Sequence, residues 1–303
     1  MGMKMEYFRI LGQTWKLIWK QKVIMAFGLL AVLVPGLMGL LMGGTMMFFA
    51  FDNLNQFERM MDNEAWFGLA WLGIFGVFML LSLMATGVGW AGVFKGTFEA
   101  ETGKDKIIFS DLWKISWPYI GRVLGIILLI GFGLALFFMI PAVLGILTAG
   151  LAFICMLPMM IILIPLSFLS QMYMSLSIAS SVAEDVNLFT ALKRAWSVML
   201  RNFWPLALMS LLLYLVQLCA GIVISIPAGA AQMFFVIPLM NENINPANMI
   251  AFFGIFMIIV MPLAFLLQGA AQTYVNSAWM LVYLDRTRTP LSPETPIFAE
   301  PNA

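Results

Sequence analysis

Between Arg122 and Glu184 the chain runs for 61 residues, Val123–Ala183, without a single charged side chain. A helix needs about 20 apolar residues to cross a bilayer core roughly 30 Å thick, so this run is long enough for two crossings and too short for four. Both of its flanks are basic, which requires an even number of crossings. The run therefore reads as two spans, with a turn at Thr148-Ala149-Gly150.

The same reasoning divides the rest of the chain. Further spans are expected at about 23–51, interrupted by Pro35 and Gly43-Gly44, and at about 65–94. A fifth starts near Phe203 and is expected to break at Pro227, and a sixth runs from about Asn248 to Leu284. Asp52–Glu64 and Asn241–Asn245 read as short outer turns. Of the sixteen Lys and Arg residues, fifteen precede the first span or follow an even-numbered one; Arg59 is the exception. This asymmetry places both termini in the cytoplasm of a protein of the cell membrane. The N-terminal apolar run, at 29 residues, is too long for a secretory leader and long enough to span.

Composition agrees: 62% of residues are hydrophobic and 10% charged, against about 45–50% and about 25% in soluble domains. The net charge of +1 offers nothing to nucleic acid. Histidine is absent, which removes the commonest general base and metal ligand. Cys155 and Cys219 sit in apolar runs and read as buried free thiols. Nothing in the sequence calls for a metal or a cofactor.

Three basic segments resemble one another. Trp15-Lys16-Leu17-Ile18-Trp19, Trp113-Lys114-Ile115-Ser116-Trp117 and Leu192-Lys193-Arg194-Ala195-Trp196 each precede an odd-numbered span, with Phe8, Phe109 and Phe189 upstream. In the first, Phe8, Leu11, Trp15 and Ile18 share a helical face opposite Arg9, Gln13, Lys16 and Lys20; in the third, Phe189, Leu192, Trp196 and Met199 do the same. Ser110 and Asn187 are expected N-caps, and Pro118 is expected to end the second helix. Such helices should lie flat in the cytoplasmic interface, with Trp15, Trp19, Trp113, Trp117 and Trp196 as anchors. Four large side chains buried per helix correspond to on the order of 5–10 kcal/mol. The alternative role is a docking collar for a partner or for anionic head groups.

The even-numbered spans also match. Ser167, Gln171, Tyr173 and Ser175 correspond, 101 residues on, to Gln268, Gln272, Tyr274 and Asn276, with Ser82 and Thr86 as a reduced version. Apart from the tyrosines these lie at i, i+4, i+8, one stripe per helix. Amides in hydrocarbon need partners, so the stripes should face protein or an internal groove. The expected fold is an all-α integral membrane domain over 1–284, of six transmembrane helices in three repeats (about 1–94, 95–183 and 184–284). Each repeat is an interfacial amphipathic helix followed by a two-span hairpin. A Pro-rich tail, 285–303, is expected to be extended.

Glu184-Asp185, Ala191-Leu192-Lys193-Arg194-Ala195-Trp196 and Phe203-Trp204, with the repeated helix-plus-hairpin units, resemble the multi-pass membrane domain of glycerophosphodiester phosphodiesterases and its stand-alone relatives. The resemblance implies a helical membrane module, in that family sometimes joined to a catalytic barrel. Here 19 residues follow the sixth span, and that enzyme's histidines and metal-binding carboxylates have no counterparts. The resemblance thus implies architecture without phosphodiesterase activity.

The first functional reading is a non-catalytic accessory or scaffold protein. Its partners would be membrane lipids, another integral membrane protein or a second copy of the chain. A facilitator or lipid-translocating protein, using the polar stripes and proline breaks, is the alternative; ion-coupled carriers usually hold ionisable groups in their spans, and these have none. A lipid enzyme would have only Glu99, Glu101, Asp105, Asp111, Glu184 and Asp185 to work with. The Glu184-Asp185 pair reads more simply as acids favoured at a helix start.

Overall fold

A computed structural model of the chain describes the backbone of residues 6–52, 64–104, 106–147, 151–239 and 246–287. Among these residues all regular structure is helical. In order the helices are α1 (Tyr7–Lys20), α2 (Lys22–Asp52), α3 (Glu64–Glu101), α4 (Phe109–Leu147), α5 (Leu151–Ala183), α6 (Leu188–Arg201), α7 (Phe203–Leu239) and α8 (Pro246–Thr287). Three stretches are long and apolar enough to cross a membrane: Trp71–Glu101, Phe109–Phe137 and Phe203–Ser225. Tyr7–Lys20 with Lys22–Met38 makes a fourth if that pair, bent by 94°, counts as one span. The expected outer turns at 53–63 and 241–245, the turn Thr148-Ala149-Gly150 and the tail after Thr287 lie outside the described residues.

Three long helices form the centre. α3, α5 and α8 touch one another pairwise. Each of the other long helices fills a groove between two of them: α2 between α3 and α8, α4 between α3 and α5, and α7 between α5 and α8. Residues 91–97, 175–182 and 275–284 are buried at every position, on all sides of their helices. These segments contain Ala, Gly, Ser and Thr beside the larger Phe94, Leu176, Trp279 and Tyr283. Small residues let helix backbones approach when lipid supplies no hydrophobic drive for association. Thr97 Oγ1 and Ser277 Oγ lie 2.9 Å apart between α3 and α8, and each satisfies the other. At Gly28 an added Cβ would stand 1.7 Å from Thr273 Oγ1, so α2 and α8 meet as closely as glycine allows.

All the basic segments assemble at this packed end. Away from it α3 and α4 are exposed on several sides. Leu72, Gly73, Ile74 and Phe75 on α3 are consecutive and all exposed, as are Gly131, Phe132 and Gly133 on α4. At 100° per residue such runs cover most of a helix circumference.

Several sequence expectations need correction. Pro35 and Pro227 do not break their helices: α2 and α7 run through them, because in a bilayer the helical backbone is kept and neighbours absorb the lost hydrogen bond. The second Trp-Lys segment is not a separate flat helix. It forms the first turns of α4, which starts one residue before the expected cap Ser110 and continues past Pro118. α1 and α6 are separate 14-residue helices, and the faces expected to be apolar divide between the bundle and the surroundings. α1 buries Ile10, Thr14 and Ile18, and α6 buries Ala191, Leu192, Ala195 and Met199. Phe8, Trp15, Phe189 and Trp196 point outward, with Phe8 84% and Trp15 58% exposed. The smaller side chains fit against the inner helices, which leaves the large rings for the surroundings. Asn187 is the N-cap residue of α6, without a side-chain cap bond. Cys219 is exposed on the outer side of α7 rather than buried; Cys155's side chain lies outside the described residues.

The glycine contacts give a test. At Gly89 an added Cβ would stand 2.6 Å from the Phe27 carbonyl oxygen and 2.5 Å from Ala31 Cβ, whereas at Gly73 it meets nothing. Gly89→Leu is expected to cost about 1–3 kcal/mol or more by overpacking. Gly73→Leu should be neutral. Thermal midpoints in mild detergent separate the two, and equal midpoints would count against the close α2–α3 approach.

Candidate functional site

α7 lies in the groove between α5 and α8 and carries Gln217, which faces both. Gln171 Nε2 on α5 donates to Gln217 Oε1 at 3.4 Å. Gln217 Nε2 donates to Gln272 Oε1 on α8 at 2.9 Å. Gln272 Nε2 donates to Asn276 Oδ1 one turn along, at 3.3 Å. Four amides thus form one directional chain across three helices. Asn276 and Ser175 are buried, while Gln171, Gln217 and Gln272 are half-buried. Asn276 Nδ2 has no partner among the described residues. Of the expected stripe residues, Gln171, Gln272 and Asn276 are brought together. Ser167 is exposed and Gln268 half-buried on the side away from the basic end, and neither is in the chain. Thr86 bonds mainly to its own helix, at Ser82 O (2.8 Å).

Two tyrosines fix the depth of this chain. Tyr274 Oη donates to the Leu11 carbonyl in α1 at 3.1 Å, and its ring meets Trp15 edge-on at 6.3 Å. Tyr173 Oη donates to the Leu192 carbonyl in α6 at 3.2 Å, and its ring meets Trp196 edge-on at 5.7 Å. Gln171 and Gln272 each lie two residues deeper than their tyrosine, about 3 Å along the axis. A third aromatic group runs along the start of α4. Phe27 stacks on Phe109 at 4.8 Å, Phe109 on Trp113 at 6.0 Å, and Trp113 lies 6.0 Å from Trp117. Trp19 packs on Trp15 at 5.6 Å. All five expected anchor tryptophans are exposed on the outside of the basic end.

Each inner helix ends at a carboxylate paired with a cation. Glu99 receives Lys104 Nζ at 2.6 Å and Lys95 Nζ at 3.3 Å. Glu184 receives Arg194 Nε at 3.1 Å and the Tyr283 hydroxyl at 2.5 Å. Asp285 receives Arg9 Nη2 at 3.3 Å. The Glu184 carboxylate raises Arg194 above its ordinary range. Glu184 acts here through an ion pair and a hydroxyl, beyond the helix-start role expected for it. Asp185 takes a left-handed backbone, φ 51°, that Asp tolerates better than most residues. Arg122 Nη1 holds its carboxylate at 2.6 Å. Lys95 is 8% exposed, its ammonium 4.9 Å from the Phe98 ring and 5.1 Å from Tyr119, whose ring also meets Arg122.

Gln217 escaped the sequence reading because it belongs to no stripe. Its signal was there: an amide in the apolar run after Phe203 must find a partner on a neighbouring helix. Lys95 was missed because a lysine near a span end reads as snorkelling rather than inserted. The chain matches no family model, no curated protein and no solved structure.

The amide chain makes a quantitative test possible. Gln217→Leu removes a partner from both Gln171 and Gln272 and is expected to cost about 1 kcal/mol, since interhelical hydrogen bonds in membranes average about 0.6 and rarely exceed 1.7 kcal/mol. Gln217→Leu combined with Gln272→Leu should cost less than the two single costs added together. Unfolding in mixed micelles measures this, and strict additivity would show that the two amides do not interact.

Proposed function

We propose that this chain is a non-catalytic integral membrane protein of the cell membrane, with six spans and cytoplasmic termini, acting as an accessory or scaffold for other membrane proteins or lipids. The observation that carries the reading is the exposure of α3 and α4 away from the basic end. The far parts of α3 and α4 are exposed around most of their circumference. A bundle that served only itself would pack them. Here they offer a large lateral apolar surface to acyl chains or to another span.

A threefold repeat accounts for the arrangement. Steps of 85 and 101 residues relate the buried segments 91–97, 176–182 and 277–283. The same steps relate Glu99, Glu184 and Asp285, and also Thr86, Gln171 and Gln272. Both tyrosine–tryptophan couples join the inner helix of one unit to the interfacial helix of the next. This supports units near 1–94, 95–183 and 184–284. Kinship with the membrane domain of glycerophosphodiester phosphodiesterases would extend to this architecture alone.

The amide chain favours a second reading, a facilitator or lipid-translocating protein using the groove between α5, α7 and α8. Against it, the seven residues that follow Gln217 on α7, 218–224, hold no amide or hydroxyl side chain to extend a path before Ser225. Reconstituted vesicles decide between the two. The scaffold reading expects no accelerated transfer of a fluorescent phospholipid between leaflets; transfer that Gln272→Leu abolishes would establish the second reading.

Topology is tested separately, in a Cys155→Ser, Cys219→Ser background. Single cysteines at Asn55 and Asn243 should react with an impermeant reagent in intact cells, and those at Ser110 and Thr287 should not. Labelling of Ser110→Cys would overturn the six-span reading.

A further inference from the structure

The basic residues at the packed end divide into two populations. Arg9, Lys95, Lys104, Arg122 and Arg194 are each held by a carboxylate within 3.3 Å. Lys16, Lys22, Lys106, Lys114, Lys193 and Arg201 are exposed, and none makes an ion pair among the described residues. Four of this second population stand beside tryptophans. Lys16 sits between Trp15 and Trp19, Lys114 between Trp113 and Trp117, and Lys193 and Arg201 flank Trp196. Each tryptophan named is exposed, although the protein has buried room for rings as large as Trp279. Unneutralised cations thus stand beside outward indole rings at three places, on α1, α4 and α6.

We propose that these three places are binding sites for anionic phospholipids of the leaflet on the basic side. The argument is complementarity. An indole seats at the boundary between head groups and acyl chains, with its N–H toward the polar side. A cation on the adjacent residue or turn then lies at the height of a phosphodiester. Below the places on α4 and α6 the exposed apolar flanks of the long helices accept acyl chains: Leu128 and Leu129 on α4, and Leu208 and Leu211 on α7. Of the carboxylates at this end, Glu99, Glu184 and Asp285 are already covered by the first population, while Asp111 stands exposed one turn before Lys114. The sites hold an annular shell of anionic lipid around the scaffold. This rests on the membrane reading above, and the test separates the two.

The full chain is reconstituted in vesicles of phosphatidylcholine containing a minor fraction of phosphatidylglycerol, with bromine on the acyl chains of one lipid or the other, and tryptophan fluorescence is recorded. Brominated phosphatidylglycerol is expected to quench several-fold more than its share of the lipid, and the excess should shrink in molar salt, where the screening length is about 3 Å. The variant K16Q/K114Q/K193Q/R201Q should lose the excess, at about fivefold per basic residue removed from a site. All four side chains are exposed, so the bundle should persist; should the variant fail to insert, the salt dependence of the unaltered chain still decides. Quenching in proportion to lipid content, indifferent to salt, overturns the proposal and leaves the membrane reading intact. Absence of quenching by either brominated lipid overturns both.

Discussion

Helices in lipid gain little from burying apolar surface against one another, because acyl chains are as apolar as leucine. The structure depends on how this chain meets that constraint. Its three inner helices approach through segments with small and hydroxyl residues among the large ones, and the hydroxyls bond across or back to their own backbones. Thr97 bonds both to Val93 O and to Ser277, while Ser177 and Thr273 return to carbonyls one turn back. Close approach then brings dispersion contacts that lipid cannot match. The outer helices need only fill the three grooves this triangle creates.

The packed end takes its form from the same logic. Where the inner helices emerge, each places a carboxylate beside a cation from the loop or interfacial helix that follows or abuts it. These ion pairs are partly exposed and contribute modestly to stability. Their larger effect is positional, since they tie α1 to the end of α8 and α6 to the end of α5. The tyrosine bonds to the Leu11 and Leu192 carbonyls do the same from below. Gln21 adds a further tie: its side-chain oxygen accepts the Ile107 N–H at 3.3 Å, joining the α1–α2 corner to the connection before α4. With the interfacial helices fixed, their tryptophans and lysines can face only outward.

Much of this was legible in the sequence, and the reasons are physical. Charge cannot be hidden in a bilayer, so the places where Lys, Arg, Asp and Glu occur mark helix ends directly. α4 ends at Leu147 and α5 begins at Leu151, on either side of the three residues expected to turn. Gln171 and Gln272 were legible because an amide in hydrocarbon demands a partner. What could not be read was which partner: Gln217 is named by the packing of α7 between α5 and α8, a tertiary fact with no local signal. Which residues of α1 and α6 turn toward the bundle could not be read for a related reason. Periodicity finds an apolar side, but Ile10 and Trp15 are both apolar, and only the space available against the bundle decides which goes in. The prolines misled because rules from water overstate their power to stop a helix in lipid.

The central claim is that α3, α5 and α8 pack against each other as the core, with the rest arranged around them. A direct measurement is a crosslink between Thr97→Cys and Ser277→Cys, in membranes and in the Cys155→Ser, Cys219→Ser background. These positions are 180 residues apart in sequence, and their native side-chain oxygens are 2.9 Å apart. Oxidation with a membrane-permeant reagent should close the disulfide in nearly every molecule and shift its mobility on a non-reducing gel. A pair that stays reduced, in protein shown to be inserted and folded, would contradict the account.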